Sequence, residues 1–483
     1  MTNNSTLVLF GARGNLSRIK LIPGLFHLDE SGKLSDDMKI LSVGRQNVSQ
    51  NEWENEIKDM LEKKFNKKYD LKVFERFIKR NIYHATLPED PNAFKKFSQL
   101  LLNDARFPKN FAFFLSVRPS DFAKIVDQLA EEKLLNEDKY WRRVLIEKPF
   151  GTNLKSAINL QASISKHLKE TQIYRIDHYL GKSALQNILW TRFSNSIFEH
   201  MWNKKHIDHI QITNHETLGV GERTEFYDAT GALRDMTQSH LLQMLALTTM
   251  EKPKSFSPDD IRLEKIKLFK SIRPIPIDKI EKYAFRAQYK SGNIEKEGHV
   301  KGYLEELEND KSIVETYAAI KIFLDTPRWK NIPIYLRTAK RLNRSGTFIS
   351  IKFKNNQENR KSADNWLVFS IQPKESTYFE IQTKVPGLNE VDLRTTKLEG
   401  MNRLDHDEKI DAYETLMLDL LEGNQSRFLH IDEVKAAWSL IDPIIENWKK
   451  NKEKIHQYTA GTTDPKESEV IFENKNQFWK EEI

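Results

Sequence analysis

Eight consecutive positions of the chain, Arg175-Ile176-Asp177-His178-Tyr179-Leu180-Gly181-Lys182, hold two cations, a carboxylate, an imidazole and a phenol. This density of polar functions is too high for an ordinary packed element and indicates a binding site. His178 and Lys182 are four residues apart, so on a helix they would share one face and could grip one anion, such as a phosphate. Asp177 is unsuited to an anion, but it could align a histidine from elsewhere in the chain. The alternative for this segment is a solvated, charged turn.

A second candidate site follows the first apolar run of the chain. The run Thr6–Phe10 favours a β-strand and stops at Gly11-Ala12-Arg13-Gly14-Asn15-Leu16, after which apolar residues return at helical spacing. Glycines let a backbone approach a pyrophosphate, and the unpaired N–H groups of a helix beginning near Leu16 can bind it. The GxxGxL spacing therefore predicts a dinucleotide loop, with a structural tight turn as the alternative.

The residue that follows the second predicted strand, Lys39–Gly44, bears on the choice of cofactor. NAD-binding proteins deliver a carboxylate from this place to the ribose 2′-hydroxyl, but here the residue is Arg45. An arginine favours a 2′-phosphate and hence NADP. Arg13 in the glycine loop is either a second cation for that phosphate or a solvated loop residue.

The elements that must position these groups alternate between strand and helix in the first part of the chain. Strands are predicted at Phe111–Ser116 and Arg143–Ile146 in addition to the two already named, with helical sequence between them. Strands that alternate with helices predict a parallel sheet covered on both faces. After about residue 190 the pattern changes.

The second part of the chain mixes β-forming runs with long helical segments. Strands are predicted around Ile210–Ile212, at Gly346–Phe353 and at Trp366–Ile371, and helices at Thr237–Met250 and Asp411–Leu421. This mixture predicts a second domain of the α+β class.

Composition narrows the function classes. The chain has 483 residues, enough for two or more domains with an enclosed cleft. Its 76 Lys and Arg are interspersed with 69 Asp and Glu, and no long basic tract of the kind that follows nucleic acid is present. The absence of cysteine excludes disulfides and cysteine metal sites and points to a reducing interior. With no signal peptide and no apolar run near the ~20 residues of a membrane span, we expect a soluble, cytoplasmic protein with no membrane partner.

Together these motifs resemble the glucose-6-phosphate dehydrogenase family along nearly the whole chain. The residues that carry the resemblance are Gly11–Leu16, Glu147-Lys148-Pro149-Phe150-Gly151, Arg175–Lys182, Gly231–Gln243 and Leu336-Arg337-Thr338-Ala339-Lys340. The Arg175–Lys182 block is highly specific to the family, whereas Glu-Lys-Pro also occurs in other sugar oxidoreductases. The resemblance implies NADP-dependent oxidation of D-glucose 6-phosphate at C1 to 6-phospho-D-glucono-1,5-lactone, the first step of the oxidative pentose phosphate pathway.

The resemblance also implies roles for individual residues. His240 resembles the general base that takes the proton of the C1 hydroxyl while hydride leaves C1, and Asp177 its orienting partner; a satisfied histidine on an apolar helix is the alternative for His240. Asp235 lies five residues before His240, about 140° away around an α-helix. The implied substrate-binding residues are Lys148, His178, Tyr179, Lys182, Glu216, Asp235 and Lys340. The implied cofactor-binding residues are Gly11, Ala12, Arg13, Gly14, Asn15, Leu16, Arg45 and Lys148. No metal is implied.

For the fold, the expectation is an α/β plus α+β protein. Residues 1–175 would form a Rossmann-like, doubly wound parallel sheet that binds NADP. Residues 176–483 would form an α+β domain with a large, mostly antiparallel sheet and flanking helices, for substrate binding and oligomerisation. A homodimer or homotetramer is expected. Two other functions are open: a related sugar dehydrogenase acting on an unphosphorylated substrate, and a catalytically idle relative that binds NADP or sugar phosphate.

The chain departs from the usual pattern of the family at several positions. Arg13 stands where a small residue is usual, and Asn15 where aspartate is usual. Arg118 adds a cation to a turn beside the cofactor. Ser345 replaces an arginine that helps to hold phosphate in many members, and the neighbouring Arg344 is a candidate substitute. None of these departures removes a group that does chemistry.

Overall fold

The computed structural model describes residues 4–86, 90–355, 363–386, 392–402, 407–451 and 455–481. They form two compact units. The first unit comprises residues 1–181, 255–262 and 409–435, and the second comprises residues 182–254, 263–408 and 436–483. No helix in the described ranges combines the length and the apolar character that crossing a bilayer requires.

The strands, in chain order, are β1 Thr6–Phe10, β2 Lys39–Gly44, β3 Asn81–Ala85, β4 Phe111–Leu115, β5 Arg142–Ile146, β6 Ile173–Ile176, β7 Ile207–His215, β8 Ala284–Lys290, β9 Gly292–Ile294, β10 Gly298–Val300, β11 Tyr317–Ile322, β12 Ile334–Ala339, β13 Gly346–Phe353, β14 Trp366–Gln372, β15 Ser376–Lys384, β16 Leu393–Met401, β17 Phe428–Leu429 and β18 His456–Thr459.

The α-helices are α1 Ile22–Glu30, α2 Gln50–Phe65, α3 Leu71–Arg80, α4 Pro91–Asn103, α5 Phe122–Glu131, α6 Leu154–Ile164, α7 Ser183–Ser194, α8 Ser196–Met201, α9 Thr224–Ala232, α10 Leu242–Thr249, α11 Pro258–Lys270, α12 Tyr303–Leu307, α13 Ala412–Glu422 and α14 Ile431–Lys450. Among the described residues, Ser17–Leu21 and Leu233–Leu241 are π-helical. The 3₁₀ helices are Pro119–Asp121, Glu170–Gln172, His178–Gly181, Gly221–Arg223, Ile277–Lys282 and Lys466–Ile471.

The sheet of the first unit has the order β17-β6-β5-β4-β1-β2-β3. All neighbouring strands are parallel except the short pair β17 and β6. The six parallel strands follow the order 3-2-1-4-5-6 of dinucleotide-binding sheets. This arrangement confirms the predicted Rossmann-like architecture.

Helices cover both faces of this sheet because its strands are apolar on both sides. In β1, Leu7 and Leu9 belong to one core cluster together with Leu25 of α1. Val8 and Phe10 point the other way, into a second cluster that contains Phe94 and Phe97 of α4. The observed bounds of β1 and β2 are those predicted from the sequence.

The main sheet of the second unit has the order β16-β15-β14-β13-β7-β12-β11-β8-β18. Its neighbours are antiparallel except for two parallel pairs, β7 with β12 and β8 with β18. The prediction of a large, mostly antiparallel sheet is therefore confirmed. The predicted strand Gly346–Phe353 is β13 with the same bounds, whereas the strand around Ile210–Ile212 extends over Ile207–His215.

A buried ion pair fixes the middle of this sheet. The guanidinium of Arg337 in β12 is fully buried and pairs with the carboxylate of Asp464. Arg337 also donates from Nε to Thr213 Oγ1 at 3.0 Å, and from a terminal nitrogen to the carbonyl oxygen of Lys480 at 2.7 Å. The Tyr317 hydroxyl donates to Asp464 at 2.9 Å. These bonds tie the C-terminal segment of the chain to neighbouring strands.

Candidate functional site

The glycine loop lies directly after β1 and turns tightly against the end of β4. Gly11 has φ +78°, a conformation that side chains rarely adopt, and a Cβ placed on it would lie 2.1 Å from the carbonyl oxygen of Ser116. The N–H groups of Gly11 and Ala12 both donate to the carbonyl of Val43, at 3.0 and 3.1 Å. The loop is thus held against β2 and β4, with room only for glycine at its first position.

A cavity of about 330 Å³ opens beside this loop. It lies at the carboxyl ends of β1, β2 and β4, the edge at which open parallel sheets bind dinucleotides. Gly11, Arg13 and Gly14 line it from the loop, and Arg45 and Arg118 from the ends of β2 and β4. Three cations and a glycine cradle at this edge fit a phosphorylated dinucleotide.

The remaining loop residues occupy other places. Ala12 is fully buried in the core cluster beneath the sheet, and Leu16 packs against that cluster. Asn15 lines a separate groove together with Lys63 and Lys64 of α2. The loop therefore turns only part of its predicted cofactor-binding set toward the cavity.

Two of the cavity arginines are matched by carboxylates. Arg45 pairs with Asp121 at 3.0 Å, across from the end of β2. Arg13 forms two hydrogen bonds with Glu56 of α2, from Nε at 3.1 Å and from a terminal nitrogen at 2.7 Å. Its third nitrogen donates to the side-chain oxygen of Gln46. Arg13 is therefore an anchored, charge-compensated residue of the cavity rim rather than a solvated loop residue.

The Glu147-Lys148-Pro149 turn follows β5, and the Lys148–Pro149 peptide bond is cis. Lys148 is half-buried. The Tyr413 hydroxyl hydrogen-bonds the carboxyl of Glu147, and burial raises the pKa of that carboxyl to about 7, an effect that the nearby cation of Lys148 opposes and the charge of Asp177 reinforces. Near neutral pH, Glu147 is therefore poised between its neutral and charged forms.

Replacing Glu147 with glutamine should flatten the pH dependence of the melting temperature. In the unfolded chain the carboxyl loses its proton near its ordinary pKa of 4.5, but in the folded protein only at about 7. The stability due to this raised pKa is therefore fully present below the lower value and is lost as the pH rises through the higher one. We expect the Tm of wild type to fall relative to that of Glu147→Gln across this window in a differential scanning fluorimetry series. Glu131→Gln, an exposed carboxyl on α5, should follow wild type, and a constant Tm difference would contradict the assignment.

The polar block that follows β6 is not α-helical. Residues His178–Gly181 form a 3₁₀ turn, and Lys182 has extended backbone angles before α7 begins. The four-residue spacing of His178 and Lys182 consequently does not place them on one α-helical face. Instead, the imidazole of His178 stacks on the ring of Tyr413, with centroids 6.0 Å apart and planes 8° apart.

Asp177 is buried at the start of this turn, with an exposed fraction of 1%. Its Oδ1 accepts the backbone N–H of Tyr179 at 2.9 Å, which fixes the carboxylate relative to the turn. Tyr179 is also buried, and its ring meets His178 edge to face at 5.1 Å. Asp177, His178 and Tyr179 thus form one rigid polar group in the first unit.

His240 lies in the second unit on the π-helical segment Leu233–Leu241, and its exposed fraction is 1%. The 140° separation from Asp235 assumed α-helical spacing, but i→i+5 hydrogen bonding brings residues five apart near the same side. The Ser239 hydroxyl donates to the carbonyl of Asp235 at 2.9 Å. The π-helix therefore turns Asp235 and His240 to a common side.

Glu315 fixes the start of this π-helix. Its carboxylate accepts the N–H of Leu233 at 2.9 Å, and its backbone carbonyl accepts the N–H of Ala232 at 3.1 Å. Gly231 makes the approach possible with φ +76°, since a Cβ there would lie 2.6 Å from the Glu315 carboxylate. Sequence inspection missed Glu315, because it is more than seventy residues away from the helix that it caps.

Glu216 and Lys340 come together because they follow two parallel neighbours. In the register of β7 and β12, His215 lies opposite Ala339, so the next residue of each strand emerges at the same edge. The Lys340 ammonium pairs with the Glu216 carboxylate and lies 5.4 Å from the ring centroid of Tyr227. The two predicted sugar-binding residues therefore form an ion pair at the end of the sheet.

Lys182 donates from Nζ to the side-chain oxygen of Gln372 at 2.7 Å. Gln372 ends β14 and was not singled out in the sequence, although its position before Pro373 resembles the Lys148-Pro149 turn. Ser345 accepts the N–H of Thr217 at 2.8 Å, and Arg344 pairs with Glu481.

The predicted site residues divide between the units. The first unit carries the glycine loop, Arg45, Lys148, Asp177, His178 and Tyr179, and the second carries Lys182, Glu216, Asp235, His240 and Lys340.

The chain is similar to known proteins along nearly its whole length. Residues 8–187 match the profile of the glucose-6-phosphate dehydrogenase NAD-binding domain, and residues 189–480 match that of the glucose-6-phosphate dehydrogenase C-terminal domain. The chain is 38% identical to glucose-6-phosphate 1-dehydrogenase of Chlamydia pneumoniae over 493 aligned positions, covering 98% of this chain and 95% of the relative. It is 36% identical to that of Rhizobium meliloti, with 99% and 97% covered. A solved structure of glucose-6-phosphate dehydrogenase in complex with its substrate glucose 6-phosphate is 31% identical and has a TM-score of 0.90, with 99% of both chains covered.

Proposed function

This chain belongs to the glucose-6-phosphate dehydrogenase family, and from that membership we propose which of its residues bind and oxidise the sugar. The protein is an NADP-dependent oxidoreductase that acts on glucose 6-phosphate. The family and the geometry of the two units support an assignment of roles, residue by residue.

His240 is the general base. Its imidazole takes the proton of the C1 hydroxyl as hydride leaves C1, so that C1 becomes the carbonyl carbon of the lactone. An imidazole suits this step because its unperturbed pKa lies near neutrality. Asp177 orients that imidazole and stabilises the imidazolium as it forms. The observation that carries the assignment is the π-helix, which buries His240 and turns Asp235 to the same side.

The phosphate and the sugar ring are held by separate sets of residues. The 6-phosphate is bound by His178, Tyr179 and Lys182. An imidazole, a phenol and an ammonium group can each donate a hydrogen bond to a phosphate oxygen, and the ammonium also offsets its charge. Lys148, Glu216, Asp235 and Lys340 contact the hydroxyls and ring. The ion pair of Glu216 with Lys340 supports this assignment, because it presents an acceptor and a donor at a single edge.

NADP, when bound, accepts the hydride on its nicotinamide. The cavity for the dinucleotide is lined by Gly11, Arg13 and Gly14 of the glycine loop. The rest of that loop consists of Ala12, Asn15 and Leu16. Arg45 binds the 2′-phosphate. Lys148 serves both ligands from the turn that follows β5.

The assay that tests the function compares glucose 6-phosphate with glucose, each with NADP and with NAD, by following the absorbance of reduced nicotinamide. We expect turnover with glucose 6-phosphate and NADP. Equal rates on glucose would favour a related sugar dehydrogenase, and no turnover with either sugar would favour a catalytically idle relative.

Replacing Arg45 with alanine should selectively weaken NADP binding. Arg45 lies at the end of β2 in the cavity wall. Its pair with Asp121 uses one terminal nitrogen, and its side chain is 54% exposed, so the guanidinium can turn toward a 2′-phosphate more easily than the bidentate Arg13 can. A charge-assisted bond to a 2′-phosphate is worth a roughly ten- to hundredfold change in affinity. Fluorescence titration should therefore show a large rise in the Kd of NADPH and little change for NADH. Equal losses for the two dinucleotides would identify Arg45 as a general cofactor contact instead.

Three further assignments complete the proposal. Residues 1–175 form the cofactor-binding domain, which also supplies Lys148 to the sugar, and residues 176–483 form the domain for substrate binding and assembly. The protein acts in the cytoplasm as a homodimer or homotetramer. Edge strand β16, with Leu398 and Met401 about half exposed, supports assembly through the large sheet. Light scattering coupled to size exclusion would report a single chain if the assembly proposal is wrong.

A further inference from the structure

The cofactor cavity contains one feature that the assigned roles leave unexplained, namely the pairing of Arg13. This arginine lies in the glycine loop and lines the same cavity as Arg45. An arginine at that place would by itself add a second positive charge beside a 2′-phosphate. In the structure, however, its guanidinium is turned to protein acceptors.

All three guanidinium nitrogens of Arg13 are engaged. Nε and one terminal nitrogen donate to the two carboxylate oxygens of Glu56, at 3.1 and 2.7 Å, in the bidentate geometry of a strong pair. The other terminal nitrogen donates to Gln46. The hydrogen bond to Glu56 raises the pKa of Arg13 above its already high value, so the guanidinium keeps its charge.

The pair is sheltered enough to persist. The side chain of Arg13 is 27% exposed and that of Glu56 is 19% exposed. Glu56 lies in the second turn of α2, and its carboxylate also accepts a hydrogen bond from Arg18 at 3.3 Å. Arg18 lines the neighbouring groove rather than the cofactor cavity.

The charge count at the cavity follows from these contacts. Glu56 pairs with both Arg13 and Arg18, so these three groups together carry one net positive charge instead of two. Next to the cavity, Arg13 and Glu56 act on a phosphate largely as a dipole, whose attraction falls off faster with distance than that of a lone cation. To reach a 2′-phosphate, Arg13 would have to exchange bonds that it already makes. Arg13 therefore offers little discrimination between NADP and NAD while Glu56 holds it.

We propose that Glu56 is a specificity-determining residue, which limits the preference of this enzyme for NADP over NAD by offsetting the charge of Arg13 and holding its guanidinium. The inference rests on the proposed cofactor site. It concerns the ratio of the two affinities, because contacts with the shared part of NADP and NAD affect both affinities and cancel in the ratio.

Glu56→Gln tests the proposal through fluorescence titrations of the purified full chain with NADPH and NADH. The amide removes one negative charge and keeps the size of the side chain, so Arg13 is free to turn toward the 2′-phosphate. We expect the ratio of the Kd of NADH to the Kd of NADPH to rise roughly fivefold, the size of a partly exposed charge interaction. An unchanged or lower ratio would overturn the proposal.

A double-mutant cycle identifies the group responsible. Arg13→Ala in the wild-type background should change the ratio by less than about twofold, since the charge that it removes is already compensated. Arg13→Ala combined with Glu56→Gln should abolish the fivefold gain. If the gain persists without Arg13, then another cation, such as Arg18, is responsible and the proposal is wrong.

Asp59→Asn is the matched control, because Asp59 is an exposed carboxylate one turn further along α2. It should leave the ratio at the wild-type value, and an equal rise there would show a general charge effect instead. Wild-type protein that binds neither dinucleotide would refute the proposed cofactor site. Wild-type protein that prefers NADPH, with a ratio insensitive to Glu56, would refute only this inference.

Discussion

Replacing His240 with asparagine is expected to lower kcat by roughly 10²- to 10⁴-fold, the usual contribution of a positioned general base. Asparagine has a similar size and can still donate a hydrogen bond, but it cannot accept the proton of the C1 hydroxyl near neutral pH. The interaction that is lost exists mainly in the transition state, so binding of glucose 6-phosphate should survive. Steady-state assays with both substrates and calorimetric titration of glucose 6-phosphate measure the two quantities separately.

His206→Asn is the control for this variant, because His206 is an exposed histidine in the turn before β7. Its kcat should equal that of wild type. Near-normal turnover in the His240 variant would remove that histidine from the role of base, and loss of sugar phosphate binding would assign it to the binding site instead.

Replacing Asp464 with asparagine is expected to destabilise the protein by about 3–5 kcal/mol, the cost of breaking a buried ion pair on one side. Arg337 is fully buried, and without Asp464 its charge would have no carboxylate partner in this cluster.

The same cluster predicts that the protein loses stability in acid. Arg337 and His215 hold the pKa of Asp464 well below its usual range, although burial opposes this. The resulting stability is present above the ordinary carboxyl pKa of ~3.9 and is lost as the pH falls toward the depressed folded-state value.

The double variant Arg337→Met with Asp464→Asn is the matched control, because it removes both charges and keeps apolar volume. It should recover part of the stability lost in the single variant, since no unpaired charge is left in the sheet. Urea unfolding midpoints of the three proteins provide the comparison. A double variant that is no more stable than Asp464→Asn, or an unchanged midpoint for Asp464→Asn, would contradict this account of the ion pair.

Strand positions in this chain were predictable wherever apolar runs were short and clearly bounded. Thr6–Phe10, Lys39–Gly44 and Gly346–Phe353 have the predicted bounds because turn residues or charged segments flank them. The predicted helix Thr237–Met250 overlaps an element that begins earlier, is π-helical over Leu233–Leu241 and α-helical over Leu242–Thr249. The spacing of apolar residues does not distinguish a π-helix from an α-helix, so the π-helical segment was not predicted. The cap from Glu315 was not predicted either, because it is a long-range contact.

In the candidate site, the sequence identified which side chains could bind or react, but it did not identify the side chains that they contact in the fold. The pairing of Glu216 with Lys340 depends on strand register, and the stacking of His178 on Tyr413 depends on a segment more than two hundred residues later. Arg13 was recognised as a cation, but its carboxylate partner Glu56 lies on α2, beyond α1 and β2 in the sequence. Such pairs have no local signature because tertiary folding creates them.

The last residue of β7 and the residue after it make different contacts: His215 Nε2 lies 3.4 Å from Asp464, and Glu216 pairs with Lys340. Side chains alternate between the faces of a sheet, so inserting or deleting a single residue in β7 or β12 would turn each of these side chains to the opposite face. Substitutions of strand residues outside these ion pairs change mainly local packing, whereas a change in strand length would disrupt the Arg337–Asp464 pair and the Glu216–Lys340 pair together. Outside these ion pairs, we therefore expect β7 and β12 to tolerate a change of side chain more readily than a change of length.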